Sequence, residues 1–273
     1  MSLFTIDGER CVHDGLCAAD CPVGCIDISG DGMPVLNEKK AGYCLDCGHC
    51  MAICPTGAFQ LGRFDAPAVP LGEIGEPVTA RQVERFLKSR RSVRAFRAEP
   101  VDRDLLARLL DLTEYAPSGH NARPVRWSVA RGAEKVQSVA VATAEWMREA
   151  VESGSEIANR LHLAGVVRRW NEGVDLICRN APALAVVVAP ERGITPAADA
   201  VIAASWLELA AHGAGLGACW AGYVYLAATY SPAVREVLGI GSGFQTHGAL
   251  LLGYPARKWS AVPPRPSAEV DWL

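Results

Sequence analysis

The 273 residues are half apolar and about a fifth charged, with a formal net charge of −3. That balance suits a soluble, globular chain of about two domains and excludes a broad basic face for nucleic acid. The ten cysteines are unevenly spread: eight lie between Cys11 and Cys54, and only Cys178 and Cys219 lie beyond. The opening MSLFTIDGER has neither the basic start nor the apolar core of an export signal. The expectation is therefore a reducing, cytoplasmic setting in which thiolates serve as metal ligands rather than disulfides.

The first element is an internal repeat. CVHDGLCAADCPVGCI from Cys11 and CLDCGHCMAICPTGAF from Cys44 align without a gap at an offset of 33 residues. The second copy is a complete C-x2-C-x2-C-x3-C-P, a run that ligates iron–sulfur clusters and sends its fourth cysteine to the other cluster. Cys44, Cys47 and Cys50 with Cys21 are thus expected to hold one [4Fe-4S] cluster. Cys11 and Cys17 with Cys54 are expected to hold the second. Asp14 stands where the repeat would place a cysteine, so this second cluster is [3Fe-4S], or [4Fe-4S] if Asp14 supplies an oxygen. Carboxylate is a harder ligand than thiolate and holds that iron more weakly. Zinc ribbons use paired C-x2-C units with a long spacer, not two gapless copies ending in Cys-Pro. Cys25 is a further thiol, and CPVGC resembles seven-iron ferredoxins in which a free cysteine sits beside a cluster. Residues 1–61 are accordingly expected to form a two-cluster ferredoxin domain.

Residues 62–78, rich in proline and glycine, read as a linker. Thr79 with Gln82 forms a capping-box pattern, followed at helical spacing by Val83, Phe86 and Leu87. Asp102 is the cap expected for a second helix with Leu105, Leu106, Leu109 and Leu110 as its buried stripe; it must end near Ala116-Pro117. The run ALAVVVA, Ala183–Ala189, predicts a buried strand, and Leu250–Gly253 predicts another. Between them Ala200–Ala228 carries one formally charged residue, Glu208. Gly213, Gly215 and Gly217 break this stretch, so it reads as a buried helix rather than a membrane span. Interleaved helices and strands make residues 79–273 an α/β or α+β domain.

No glycine loop of the dinucleotide-binding or Walker type is present. Three other segments carry donors or tight backbone: RRSVRAF with Arg90, Arg91, Ser92 and Arg94; APSGHNARP from Ala116; and GLGACWAGY from Gly215. Arginine forks suit phosphate, and small residues let backbone approach a planar ligand.

In this order, with LGYP at Leu252–Pro255, the three segments resemble the nitroreductase family, flavoproteins that bind FMN without a Rossmann motif. The resemblance covers about Thr79 to the C-terminus. It implies an α+β sandwich that forms an intertwined homodimer with FMN at the interface. By position, Arg90, Arg91 and Ser92 would hold the phosphate and ribityl chain, and Arg94 the flavin N1/O2 edge. Pro117, Ser118, Gly119 and Asn121 would contact the ring from the other subunit. The family commonly continues Asn-x-Gln-Pro-Trp; here Arg123 and Val125 depart from it. Trp220, Ala221 and Gly222 would lie near flavin N5, and Arg265 would complete the phosphate site. The helix from about Ala197 to Ala211 would be buried in the dimer interface. No side chain is assigned as acid or base, with His120 and Tyr223 adjacent to the motifs. The implied activity is reduction of a small electron-poor acceptor such as a nitroaromatic or quinone. Electrons would be exchanged with ferredoxin or NAD(P)H, and the fused clusters would offer a one-electron route. The alternative is a non-catalytic electron-transfer or redox-sensing protein.

Overall fold

A computed structural model describes residues 2–273. The chain divides into two units, one running up to Val78 and including His120–Ala122, the other Thr79–Gly119 with Arg123–Leu273.

The N-terminal unit is the sequence repeat made structural. Its elements are β1 (Phe4–Ile6), α1 (Leu16–Ala19), β2 (Ile26–Ile28), β3 (Pro34–Leu36), α2 (His49–Ala52), β4 (Phe59–Leu61) and the short α3 (Leu71–Ile74). Strand β1 pairs antiparallel with β4, and β2 with β3. Each cysteine run enters its single-turn helix through a glycine in the left-handed region, Gly15 (φ 69°) and Gly48 (φ 76°). A second such glycine follows each Cys-Pro, where Gly24 N–H bonds Cys21 O (3.1 Å) and Gly57 N–H bonds Cys54 O (3.3 Å). Positive φ is cheap only for glycine, so these four positions fix where the chain reverses around the cysteines. Phe4, Ile26, Met51, Phe59 and Leu61 form the small core together with buried Cys17 and Cys50. Residues 62–78 group with this unit and contain α3.

The second unit begins with α4 (Ala80–Ser89), α5 (Arg103–Asp111), β5 (Arg126–Arg131), α6 (Ala133–Glu152), α7 (Glu156–Arg160) and α8 (Leu163–Asn171). It continues with β6 (Ala183–Pro190), α9 (Pro196–Gly213), β7 (Gly217–Trp220), α10 (Gly222–Tyr230), α11 (Pro232–Val237) and β8 (Phe244–Gly253). The sheet is antiparallel in the order β5-β6-β8-β7. Strand β6 is buried on both faces, as its unbroken apolar run requires. Leu184, Val186 and Val188 join the core beneath α6, while Ala183, Ala185, Val187 and Ala189 join the core beneath α9.

Local signals set the helix ends. Thr79 and Gln82 close a reciprocal capping box, with Gln82 Oε1 accepting from Thr79 N–H at 2.8 Å. Asp102 Oδ1 accepts from the N–H groups of Asp104 and Leu105, both at 2.9 Å. Leu106 and Leu109 of α5 are buried, and Leu105 and Leu110 partly so. Helix α9 ends at Gly213, and Gly215 (φ 78°) turns the chain into β7. Burial of α9 is one-sided within the chain: Ala200, Ala204, Leu207 and Ala211 pack on the sheet, whereas Val201 and Trp206 are exposed. Among the described residues no helix is long and apolar enough to cross a membrane.

Candidate functional site

The eight expected metal ligands gather around two cavities in the N-terminal unit. The first, about 390 Å³, is lined by Cys21, Cys44, Cys47 and Cys50 with an apolar wall that includes Phe4, Ile26 and Leu61. The second, about 340 Å³, is lined by Cys11, Asp14, Cys17 and Cys54 with Ile6, Pro34 and Phe59. Each cavity therefore takes one cysteine, Cys21 or Cys54, from the opposite repeat. Among the described residues no three His, Cys, Asp or Glu side chains converge on one point that could hold a single ion. A set of sulfurs spread around a void suits a cluster, in which each thiolate binds a different iron.

The repeat extends to hydrogen bonds on sulfur. Cys21 Sγ accepts from Cys25 N–H at 3.3 Å, and Cys54 Sγ accepts from Ala58 N–H at 3.2 Å. Donors of this kind stabilise thiolate charge and tune a bound metal. Asp14 already has a local task, since its Oδ1 accepts from Leu16 N–H at 3.1 Å at the start of α1. Cys25 also lines the first cavity; it is 2% exposed and donates to Lys40 O at 3.1 Å. Burial pushes the Cys25 thiol up to about 11 and the Cys50 thiol up to about 12. Neither would ionise near neutral pH without a metal to stabilise the thiolate, so ligation at Cys50 would release a proton.

In the second unit a cleft of about 1,020 Å³, counted to its open mouth, runs beside β7. Arg90, Arg91, Arg97, Arg257 and Lys258 line it, opposed by one carboxylate, Glu208. Of the RRSVR motif, Arg90 and Arg91 line the cleft. Ser92 and Arg94 do not line it: Ser92 is bridged to Ala218 at the sheet edge, where Val93 N–H bonds Ala218 O at 2.8 Å. This approach depends on Gly217, because a Cβ there would lie 2.3 Å from Val93 Cγ2. Arg94 is exposed and its charge opposes the rise that burial imposes on the Cys219 thiol.

Arg257 and Lys258 escaped the sequence reading, and Arg265 lies outside the cleft on the exposed C-terminal segment. A long-range pairing delivers the two cations: Arg97 N–H bonds Tyr254 O and Ala256 N–H bonds Ala95 O, each at 2.9 Å. Glu208, whose partner could not be read from sequence, accepts from Arg90 Nη1 at 3.0 Å and from Trp220 Nε1 at 3.1 Å. Next to Trp220, Ala221 N–H is consumed by Ala249 O at 2.8 Å. Gly222 opens α10, and its N–H has no partner among the described residues.

Gly119 N–H donates to Asp199 Oδ1 at 3.0 Å, and Thr195 Oγ donates to the same oxygen at 3.0 Å. Ser118 Oγ accepts from Arg123 N–H at 3.0 Å. Pro117, Ser118 and Gly119 do not line the basic cleft of the same chain. Asn121 groups with the N-terminal unit, where Nδ2 donates to Leu45 O (3.1 Å) and Asp46 O (2.9 Å), in the loop between Cys44 and Cys47. His120 has a left-handed backbone (φ 52°), and Tyr223 packs against the core beneath α6.

Comparison with known proteins separates the same two parts. The N-terminal part is similar to the formate dehydrogenase iron–sulfur subunit of Wolinella succinogenes, 44% identical over 55 residues, 19% of this chain. The chain spans only 26% of that relative's length. The second part is similar to nitroreductase NfnB of Mycolicibacterium smegmatis, 28% identical over 201 residues, covering 65% of this chain and 84% of the relative. A solved point variant of the FMN- and NADPH-dependent nitroreductase NfnB from Sphigopyxis sp. strain HMH aligns at a TM-score of 0.55 and 26% identity, covering 69% of this chain and 97% of that one. The nitroreductase family model matches residues 87–254, well over half of the chain. Built on a sheet flanked by α6 and α9 and preceded by a segment similar to part of an iron–sulfur subunit, the chain belongs to the nitroreductase family and so to the flavin-dependent oxidoreductases.

Proposed function

We propose that this protein is an FMN-dependent oxidoreductase that exchanges electrons through two built-in iron–sulfur clusters and reduces nitroaromatic, quinone or similarly electron-poor compounds. The single observation that carries the reading is one chain holding both sets of ligands: two cysteine-lined cavities, and a cleft rich in arginine beside β7. The bound groups would supply one-electron exchange at the clusters and one- or two-electron exchange at the flavin.

The chain's own residues divide the remaining work. Arg90, Arg91, Arg257 and Lys258 would hold the FMN phosphate through forked and point-charge contacts. With Ala221 N–H engaged by Ala249 O, Gly222 N–H at the start of α10 would be the donor offered to the flavin N5 edge. Pro117, Ser118 and Gly119 would reach the ring from a second copy in a homodimer. The exposed apolar positions Val83 and Leu87 on α4 and Val201 and Trp206 on α9 support that assembly. The donor would be a ferredoxin or NAD(P)H, and the setting cytoplasmic.

Asp14 bears on the second cluster. The cavity offers three thiolates, the ligand number of a three-iron cluster, beside an Asp14 whose Oδ1 accepts from Leu16 N–H. Anaerobic reduction followed by flavin absorbance and EPR tests the whole reading. The oxidised protein is expected to give a three-iron signal that vanishes in Asp14→Cys, where a fourth thiolate completes the set. Four-iron signals alone in both proteins would contradict the three-iron assignment. Rapid reduction of FMN by NAD(P)H with the clusters left oxidised would contradict feeding through the clusters.

A further inference from the structure

We propose that Glu208 is a positioning residue that couples the phosphate end of the cleft to the strand beside the flavin ring; the inference rests on the reading of this cleft as the FMN site. Glu208 is the one charged residue in the Ala200–Ala228 stretch, and its side chain is only 12% exposed. Both of its oxygens are used, and on different elements. Oε1 takes Arg90, just beyond the end of α4, and Oε2 takes Trp220, the last residue of β7. The indole is fixed from its other side as well, since a Cβ on Gly248 would lie 2.8 Å from Trp220 Cζ3. One carboxylate thus sets the direction of a guanidinium expected to meet phosphate and of a ring two residues before the proposed N5 donor.

A carboxylate beside a phosphate site also repels the ligand, so the sign of its effect must be argued. Five cations line the cleft against this one carboxylate, which leaves the field positive with Glu208 ionised. Arg90 is 31% exposed and has donors to spare beyond the Nη1 bond. Holding a flexible cation in its binding orientation lowers the ordering cost when the anion arrives. A pair placed only for stability is a weaker reading: partly buried ion pairs are poor stabilisers, and stability alone would not require the second oxygen to hold the indole.

The test compares FMN with riboflavin, which lacks the phosphate, by quenching of flavin fluorescence. Wild type, Glu208→Ala, Arg90→Ala and the double variant are measured, with Glu208→Gln in reserve should the alanine variant fold poorly. Glu208→Ala is expected to weaken FMN about tenfold, the size of a hydrogen bond to a charged group, and riboflavin much less. In the Arg90→Ala background the same change is expected to add no further FMN-specific loss. Equal losses for both flavins, independent losses at the two sites, or tighter FMN binding would each overturn the role of Glu208. Wild-type protein that binds neither flavin would instead overturn the flavin reading of the cleft, and this inference with it.

Discussion

His247 shows how one residue can carry a pH dependence. The pairing of β8 with β6 shifts between Val187, opposite Gly248, and Val188, opposite Thr246, which leaves His247 in a bulge. Its Nε2 is buried without a partner among the described residues, and burial holds the ring's pKa below the usual histidine value. A depressed histidine favours the folded state while it is neutral. That contribution is fully present above the unfolded pKa, about 6.5, and is lost as pH falls through the lower folded value. Urea unfolding of His247→Gln is therefore expected to lose less stability than wild type as pH is lowered from neutral into the mildly acidic range. Parallel pH profiles for the two proteins would contradict this. At the same scale, the cysteine runs were readable as candidate cluster ligands because such ligands obey short, fixed spacings. Arg257, Lys258 and the pairing of Glu208 with Arg90 were not, because residues about 120 to 160 positions apart meet only when β7 and β8 run beside residues 90–97.

Individual elements follow local rules where those rules are strong. The capping box at Thr79 leaves helix α4 with both reciprocal bonds formed, although the helix buries none of its residues within the chain. A helix so exposed depends on its cap, and Thr79→Ala is expected to cost about 1 kcal/mol in urea unfolding. An unchanged midpoint would show that contacts elsewhere, such as those of Phe86 with His212, hold the helix instead. Strand β6 was legible from its seven-residue apolar run because burial on both faces leaves no polar position. The burial of α9 was legible only in part. Its alanine-rich stripe packs on the sheet, but composition alone did not distinguish that face from the one bearing Val201 and Trp206.

For the whole molecule, the chain joins two different local architectures. The N-terminal unit uses a duplicated loop, glycine turn and Cys-Pro reversal, with each cavity completed by the other copy. The second unit uses a sheet covered on both faces, at whose β7 edge cations from distant segments gather. The division near residue 79 coincides with the compositional change from cysteine-rich loops to amphipathic helices. Placement of Asn121 with the cysteine loops had no local signal, since Pro, Ser, Gly and Asn describe many turns. The central claim is that the cysteine cavities serve the flavin of the same protein. It is tested most directly by anaerobic stopped-flow absorbance at the flavin band, using reduced ferredoxin as donor, for wild type and Cys47→Ser matched for FMN content. The account predicts that the variant keeps its FMN and still bleaches with excess dithionite, while its ferredoxin-driven flavin reduction falls to the rate of the donor with free FMN. Equal ferredoxin-driven rates in the two proteins would contradict it.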